Sequence, residues 1–104
     1  MVQLIKMLSE IPMDKKVVID FYADWCKPCI MIAPIYEKLS LQYTDIIFLK
    51  VNVDESPEVS NRYNVRSMPT FIFLNNGTIY ATTKGGNLPM IENNLETLNE
   101  ILSI

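Results

Sequence analysis

From Val17 to Tyr22 apolar residues stand at both parities and only Asp20 interrupts them. A strand with one face in water would alternate, so this run is expected to be covered on both faces, in the middle of a sheet. After Cys29 the period changes. Ile32, Ile35, Tyr36, Leu39 and Tyr43 recur at steps of three and four, which predicts a helix beginning near Cys26 and running to about Tyr43. Pro34 falls inside that helix and is expected to kink it, because proline removes a backbone donor.

The alternation continues along the chain. Ile46 to Val53 reads as a second buried strand. Ser56-Pro57-Glu58 then supplies an N-cap, a first-turn proline and a first-turn acid for a short helix to about Tyr63. Thr70 to Leu74 and Thr78 to Thr83 are β-rich runs separated by Asn75-Asn76-Gly77, residues that tolerate positive φ, so an antiparallel hairpin is predicted. Leu88, Ile91, Leu95, Leu98 and Leu102 step along a closing helix with Asn87 as its cap. The first fifteen residues fit two descriptions: Leu4, Ile5, Leu8 and Ile11 suit a short helix, and Val2 to Ile5 suits a small strand. Strand-like and helix-like segments alternate without repeats or a linker, the pattern of one α/β domain over residues 1–104.

Composition narrows the class. Of 104 residues 49% are hydrophobic and 20% charged, enough for one core in one small globular body. No apolar run approaches the roughly 18 residues of a membrane span, and Met1 to Glu10 lacks the apolar block of a secretory leader, so a soluble, cytoplasmic protein is expected. The net charge of -3 is spread along the chain, which gives no basic surface for nucleic acid or an acidic membrane.

The two cysteines, Cys26 and Cys29, stand in Trp25-Cys26-Lys27-Pro28-Cys29 at the junction of the central strand and the first long helix. This spacing permits a reversible disulfide. A bridge across so small a loop adds little stability, so the pair is better explained by chemistry than by stapling. Only a thiolate attacks, and an ordinary cysteine is about 3% ionised at neutral pH. In the first helical turn the Cys26 sulfur would face unpaired N–H groups and the positive end of the helix dipole, which favour the anion. Cys29, one turn deeper, would be shielded and would resolve the mixed disulfide that Cys26 forms. A zinc site would need about four ligands, and a cysteine protease would need histidine. The chain has no histidine and no second cysteine pair, so no metal is expected.

Val18 to Cys26, Pro28-Cys29, Pro34, Lys50-Val51-Asn52-Val53-Asp54, Ser67-Met68-Pro69-Thr70-Phe71, Asn76-Gly77 and Gly85 together resemble the thioredoxin family from about Val17 onward. The resemblance implies the thioredoxin fold, a mixed central β-sheet flanked by helices, with the site at the end of the central strand. It implies that Asp20, beneath the sulfurs, transfers the Cys29 proton, with Lys50 nearby; the bland alternatives are an aspartate at a solvated strand edge and a lysine reaching solvent. By the same resemblance Pro69 is cis, and Trp25, Lys27, Pro28, Met68, Pro69 and Gly85 form the surface that receives a substrate. Pro34 and the methionines Met7, Met13, Met31 and Met90 carry no assigned chemistry.

Three departures stand out. Lys27 occupies a usual glycine position, and its ammonium would favour the thiolate and a more oxidising pair. Tyr22 replaces a common tryptophan. About five residues fewer precede the central strand, so a curtailed first strand or first helix is expected. The family implies a protein-disulfide reductase, monomeric, with no bound cofactor, recharged with NADPH electrons by a thioredoxin reductase. Two alternatives stay open: a more oxidising disulfide oxidase or isomerase, supported by Lys27, and a non-catalytic protein-binding module that uses the apolar rim of Trp25, Met68 and Pro69.

Overall fold

The computed structural model describes residues 1–102; Ser103 and Ile104, the end of the expected domain, lie outside the described residues. In chain order the elements are β1 (Val2–Leu4), a 3-10 turn (Leu8–Glu10), β2 (Lys16–Tyr22), α1 (Lys27–Gln42), β3 (Ile47–Asn52), α2 (Pro57–Arg62), β4 (Thr70–Asn75), β5 (Thr78–Lys84) and α3 (Leu88–Glu100). The strands form one sheet in the order β1-β3-β2-β4-β5. β1 and β2 both run parallel to β3, whereas β4 runs antiparallel to β2 and to β5. The sheet is therefore mixed, with β2 at its centre, as the two-parity apolar run predicts.

Strand alternation sends the side chains of β2 to two separate cores. Val18 joins Ile32, Tyr36 and Leu39 of α1 and Ile91, Leu95 and Leu98 of α3 on one face. Val17, Ile19 and Phe21 join Val59 of α2, with Leu49, Val51 and Ile72, on the other. On the α1 face the Tyr36 hydroxyl also shares its one proton between the Leu49 and Val18 carbonyls, at 2.8 and 3.1 Å, tying helix to sheet.

The turns follow their chemistry. Asn76 and Gly77 have φ of 50° and 78° and connect β4 to β5 as a two-residue hairpin loop, where both central residues need positive φ. The register shifts between Phe73 and Leu74, which pair with Ala81 and Ile79, so Tyr80 is the extra residue of a bulge in the edge strand β5. Asn87 caps α3, its side chain accepting the Met90 N–H at 3.3 Å.

Several expectations need correction. The N-terminal segment is neither helix nor strand throughout: it forms the short strand β1, then the 3-10 turn, whose start is closed by Glu10 Oε1 accepting the Lys6 and Met7 N–H groups. α3 ends at Glu100, and Leu102 is 86% exposed, outside the core its spacing assigned it to. Ile35, also at helical spacing, lies on the exposed side of α1, because three buried residues, Ile32, Tyr36 and Leu39, already fill the contact with the sheet. Ser56 sits at the N-cap of α2 without a side-chain capping bond.

Candidate active site

β2 ends at Tyr22, and a short loop through Trp25 leads into α1. Cys26 is the N-cap of that helix, in extended conformation, and its Sγ accepts the Cys29 N–H at 3.3 Å. Lys27 and Pro28 fill the first two helical positions; proline is suited to this turn because its missing N–H would be unpaired anyway. A sulfur in the N-cap position takes over the role of a capping oxygen, so negative charge on it is stabilised by a backbone donor and by the helix dipole.

Cys26 and Cys29 are joined as a disulfide with Cα atoms 5.2 Å apart. Their exposures, 5% and 3%, are nearly the same. The expected difference in depth is thus not what separates them; the separation lies in surroundings. Cys26 receives the backbone hydrogen bond, while Cys29 lines a cavity of about 210 Å³ with Asp20, Tyr22, Ala23, Asp24, Ile30, Ala33 and Lys50.

Asp20 reaches that cavity from the middle of β2, paired in register with Lys50 on β3 and Phe71 on β4. It is 4% exposed, so the solvated-edge alternative fails. Its Oδ1 is buried without a hydrogen-bond partner among the described residues. Burial pushes the carboxyl up from 3.8 to about 7, against the opposing pull of the Lys50 ammonium. A group with that pKa can hold or release a proton near neutral pH. Lys50 is half-buried and lines the same cavity, its Nζ 5.7 Å from the Tyr22 ring centroid.

The opposite rim is the Met68-Pro69 step, whose peptide bond is cis. Met68 packs on the cluster of Ala23, Cys26 and Cys29. Thr70 Oγ1 donates to the Ser67 carbonyl at 2.6 Å, and the Gly85 N–H donates to the Pro69 carbonyl at 2.8 Å, bracing the loop from both sides. Gly85 has φ of 81°, a conformation that glycine adopts without a Cβ penalty. Trp25 is 68% exposed beside the cysteines, and its indole Nε1 donates to Asp54 Oδ2 at 2.9 Å. Lys27 is exposed at the mouth, and Pro28 borders an apolar groove with Met31, Ile32, Ile35, Gly86 and Leu88.

Sequence reasoning missed Asp54 and Asn52 as part of this site. Asn52 Oδ1 accepts the N–H groups of Asp54 and Glu55, at 3.0 and 3.3 Å, and so fixes the turn that presents Asp54 to Trp25. The signal was available: an Asn two residues before an Asp at a strand end is an Asx-turn pattern. Among the described residues no group of three or more His, Cys, Asp or Glu could hold a metal ion, and no helix is long and apolar enough to cross a membrane.

The sequence model of the family described as Thioredoxin matches residues 6–97. Thioredoxin-T of Drosophila melanogaster is 52% identical over 75 residues, 71% of this chain and 48% of that protein. Thioredoxin H5 of Oryza sativa subsp. japonica is 46% identical over 85 residues, 82% of this chain and 63% of that protein. The chain thus spans about half to two thirds of the length of these curated relatives. Among solved structures, a wild-type thioredoxin h from poplar superposes with a TM-score of 0.89 at 31% identity, covering 97% of this chain and 98% of that one.

Proposed function

Because the chain belongs to the thioredoxin family, with that family's fold, we propose that it is a protein-disulfide reductase acting through the Cys26-Cys29 pair. The observation that supports this most is a sulfur at a helix N-cap joined to a second sulfur that shares a cavity with a carboxyl of pKa about 7. The Cys26 thiolate attacks one sulfur of a substrate disulfide, forming a mixed disulfide and releasing the first substrate thiolate. Cys29 passes its proton to the Asp20 carboxylate, and its sulfur attacks Cys26, releasing the second thiolate and closing the internal bridge. The substrate gains two electrons and the pair loses two; the released thiolates are protonated from water and from Asp20. Trp25, Lys27, Pro28, Met68, Pro69 and Gly85 receive an extended substrate segment, with the backbone of Met68 as the docking edge, and Lys50 assists at Asp20.

The whole of residues 1–104 acts as one domain in this scheme, as a monomer in the cytoplasm. Electrons return from NADPH through a thioredoxin reductase, and no cofactor binds this chain. A second reading, a more oxidising exchanger that forms or isomerises disulfides, is favoured by Lys27, the first residue of α1 and the neighbour of Cys26 in the chain.

Reduction of insulin disulfides by the wild type and by Cys26→Ser tests the reductase. Wild-type turnover that vanishes in the variant is expected. Equal rates in both would leave only a binding module. A Cys29→Ser variant should in turn accumulate covalent complexes with disulfide substrates through Cys26.

A further inference from the structure

Asp20, Tyr22, Lys50 and Asn52 all project from the same face of the sheet. Asp20 and Tyr22 are two apart on β2, Lys50 and Asn52 are two apart on β3, and the register pairs Asp20 with Lys50 and Tyr22 with Asn52. On β2 and β3 the apolar residues of this face end at Val18 and Phe48, while Phe71 on β4, opposite Asp20, still belongs to the core. Beyond it lies the cavity shared by Asp20, Tyr22, Cys29 and Lys50. A lysine in this place has two destinations: four flexible methylenes can carry its ammonium inward, beside the carboxyl, or outward to water, where hydration is better. The inward position needs a compensating partner, and no hydrogen bond holds the Asp20 Oδ1 to it. The Tyr22 ring provides one, with its centroid 5.7 Å from Lys50 Nζ, inside the distance at which an ammonium is attracted to an aromatic face.

We propose that Tyr22 is a positioning residue: its ring face holds the Lys50 ammonium in the cavity beside the Asp20 carboxyl, and so sets the pH range over which Asp20 can accept the Cys29 proton. This rests on the reductase reading for its use, though not for its test. The charged and titratable groups around the carboxyl are few. Lys50 faces it from β3 and Cys29 from α1; Asp24 lines the same cavity from the loop after β2. The phenol of Tyr36, deeper on α1, is pushed well above its usual range by burial and by Asp20 itself, and so stays neutral. The Tyr22 phenol is also raised, by burial and then by Asp24 and Glu55, which keeps it from ionising where Asp20 titrates. Lys50 is the opposite charge that pulls the carboxyl down against burial. An ammonium released to solvent would be screened and would pull less.

The test is the titration of the Asp20 carboxyl by carbon-13 NMR in the oxidised protein, where neither cysteine titrates. The wild-type midpoint is expected near the value of about 7 that burial and Lys50 set together. Tyr22→Phe, which keeps the ring face, should leave the midpoint unchanged. Tyr22→Leu, which removes it, should raise the midpoint by roughly half a unit, in the direction of Lys50→Met. In the Lys50→Met background Tyr22→Leu should add no further rise. A Tyr22→Leu midpoint equal to that of the wild type, or an equal rise with and without Lys50, would overturn the proposal. A reading that needs no variant is the ring-current shift of the Lys50 ε-protons in the wild type: an upfield shift is expected, and solvent-like values would also overturn it. Because no substrate or turnover enters these measurements, failure of insulin reduction would sink the reductase and leave the positioning role standing, and the reverse holds equally.

Discussion

Asp20 is the residue at which the site and the stability of the protein meet. Its carboxyl titrates at about 7 in the fold and at 3.8 when unfolded, so between these values the native state binds the extra proton. Stability is therefore highest below 3.8 with respect to this group and falls as pH rises toward 7. The full difference corresponds to at most about 4 kcal/mol at 1.36 kcal/mol per unit. In Asp20→Asn the penalty disappears: the variant should be about 2 kcal/mol or more stabler than the wild type at pH 8 and nearly equal to it at pH 3.5, by urea unfolding of the oxidised proteins. A gain that is the same at both pH values would mean that repacking, and not charge burial, causes it. Lys27 poses the second residue-scale question. A positive side chain is out of place at the positive end of a helix unless an anion forms there, and a Cys26 thiolate formed on reduction of the bridge would be such an anion. Replacement by glycine should therefore lower the midpoint potential of the pair by about 10–30 mV in a glutathione redox titration, and an unchanged or higher midpoint would remove the electrostatic role of Lys27.

At the scale of elements, the legible parts were those with strong local patterns. The central strand, the pairing of β4 with β5, and the cap and first turns of α3 all followed from period and turn chemistry. The hairpin also shows what period could not supply. Gly77 sits at φ 78°, and a Cβ added there would stand 3.1 Å from Met13 Cε and 3.4 Å from the Met13 carbonyl. Met13, to which the sequence assigned no chemistry, is packed over the turn. Gly77→Ala should cost about 1–2 kcal/mol by thermal or urea unfolding, whereas Gly85→Ala, with nothing within 4 Å of its Cβ, pays only the backbone part. Equal losses at the two glycines would show that Met13 yields without cost. The N-terminal segment was ambiguous because its few apolar residues satisfy two periods; pairing of Val2 to Leu4 with Phe48 to Lys50 decided for a strand. Leu102 was assigned to the core by spacing alone, but the helix stops two residues earlier.

For the whole molecule, two apolar clusters clamp a sheet whose central strand belongs to both, and the cysteine loop lies at one end of that body. The bridge spans a sequence separation of three, so it restrains little of the unfolded chain. Reduction should lower the unfolding free energy by about 2 kcal/mol or less, compared with about 3 for a loop of fifteen residues, and the reduced protein should keep its far- and near-ultraviolet circular dichroism. Loss of the near-ultraviolet spectrum on reduction would show that the bridge organises the core. Such independence suits the dithiol–disulfide cycle proposed for the pair.

What the sequence by itself determined was what depends on neighbours in the chain: the strand and helix periods, the cysteine pair at a helix start, the turn residues at Asn76 and Gly77, and the membership of Asp20 in an apolar strand. Local spacing is enough for these because backbone geometry repeats every two residues in a strand and every 3.6 in a helix. Only the tertiary structure decided that Cys26 and Cys29 are buried to almost the same degree, that Trp25 is tied to Asp54 across 29 residues of chain, and that the Lys50 ammonium lies over the Tyr22 ring. Desolvation and charge are set by what surrounds a group in space, and those surroundings come from strands and helices distant in sequence.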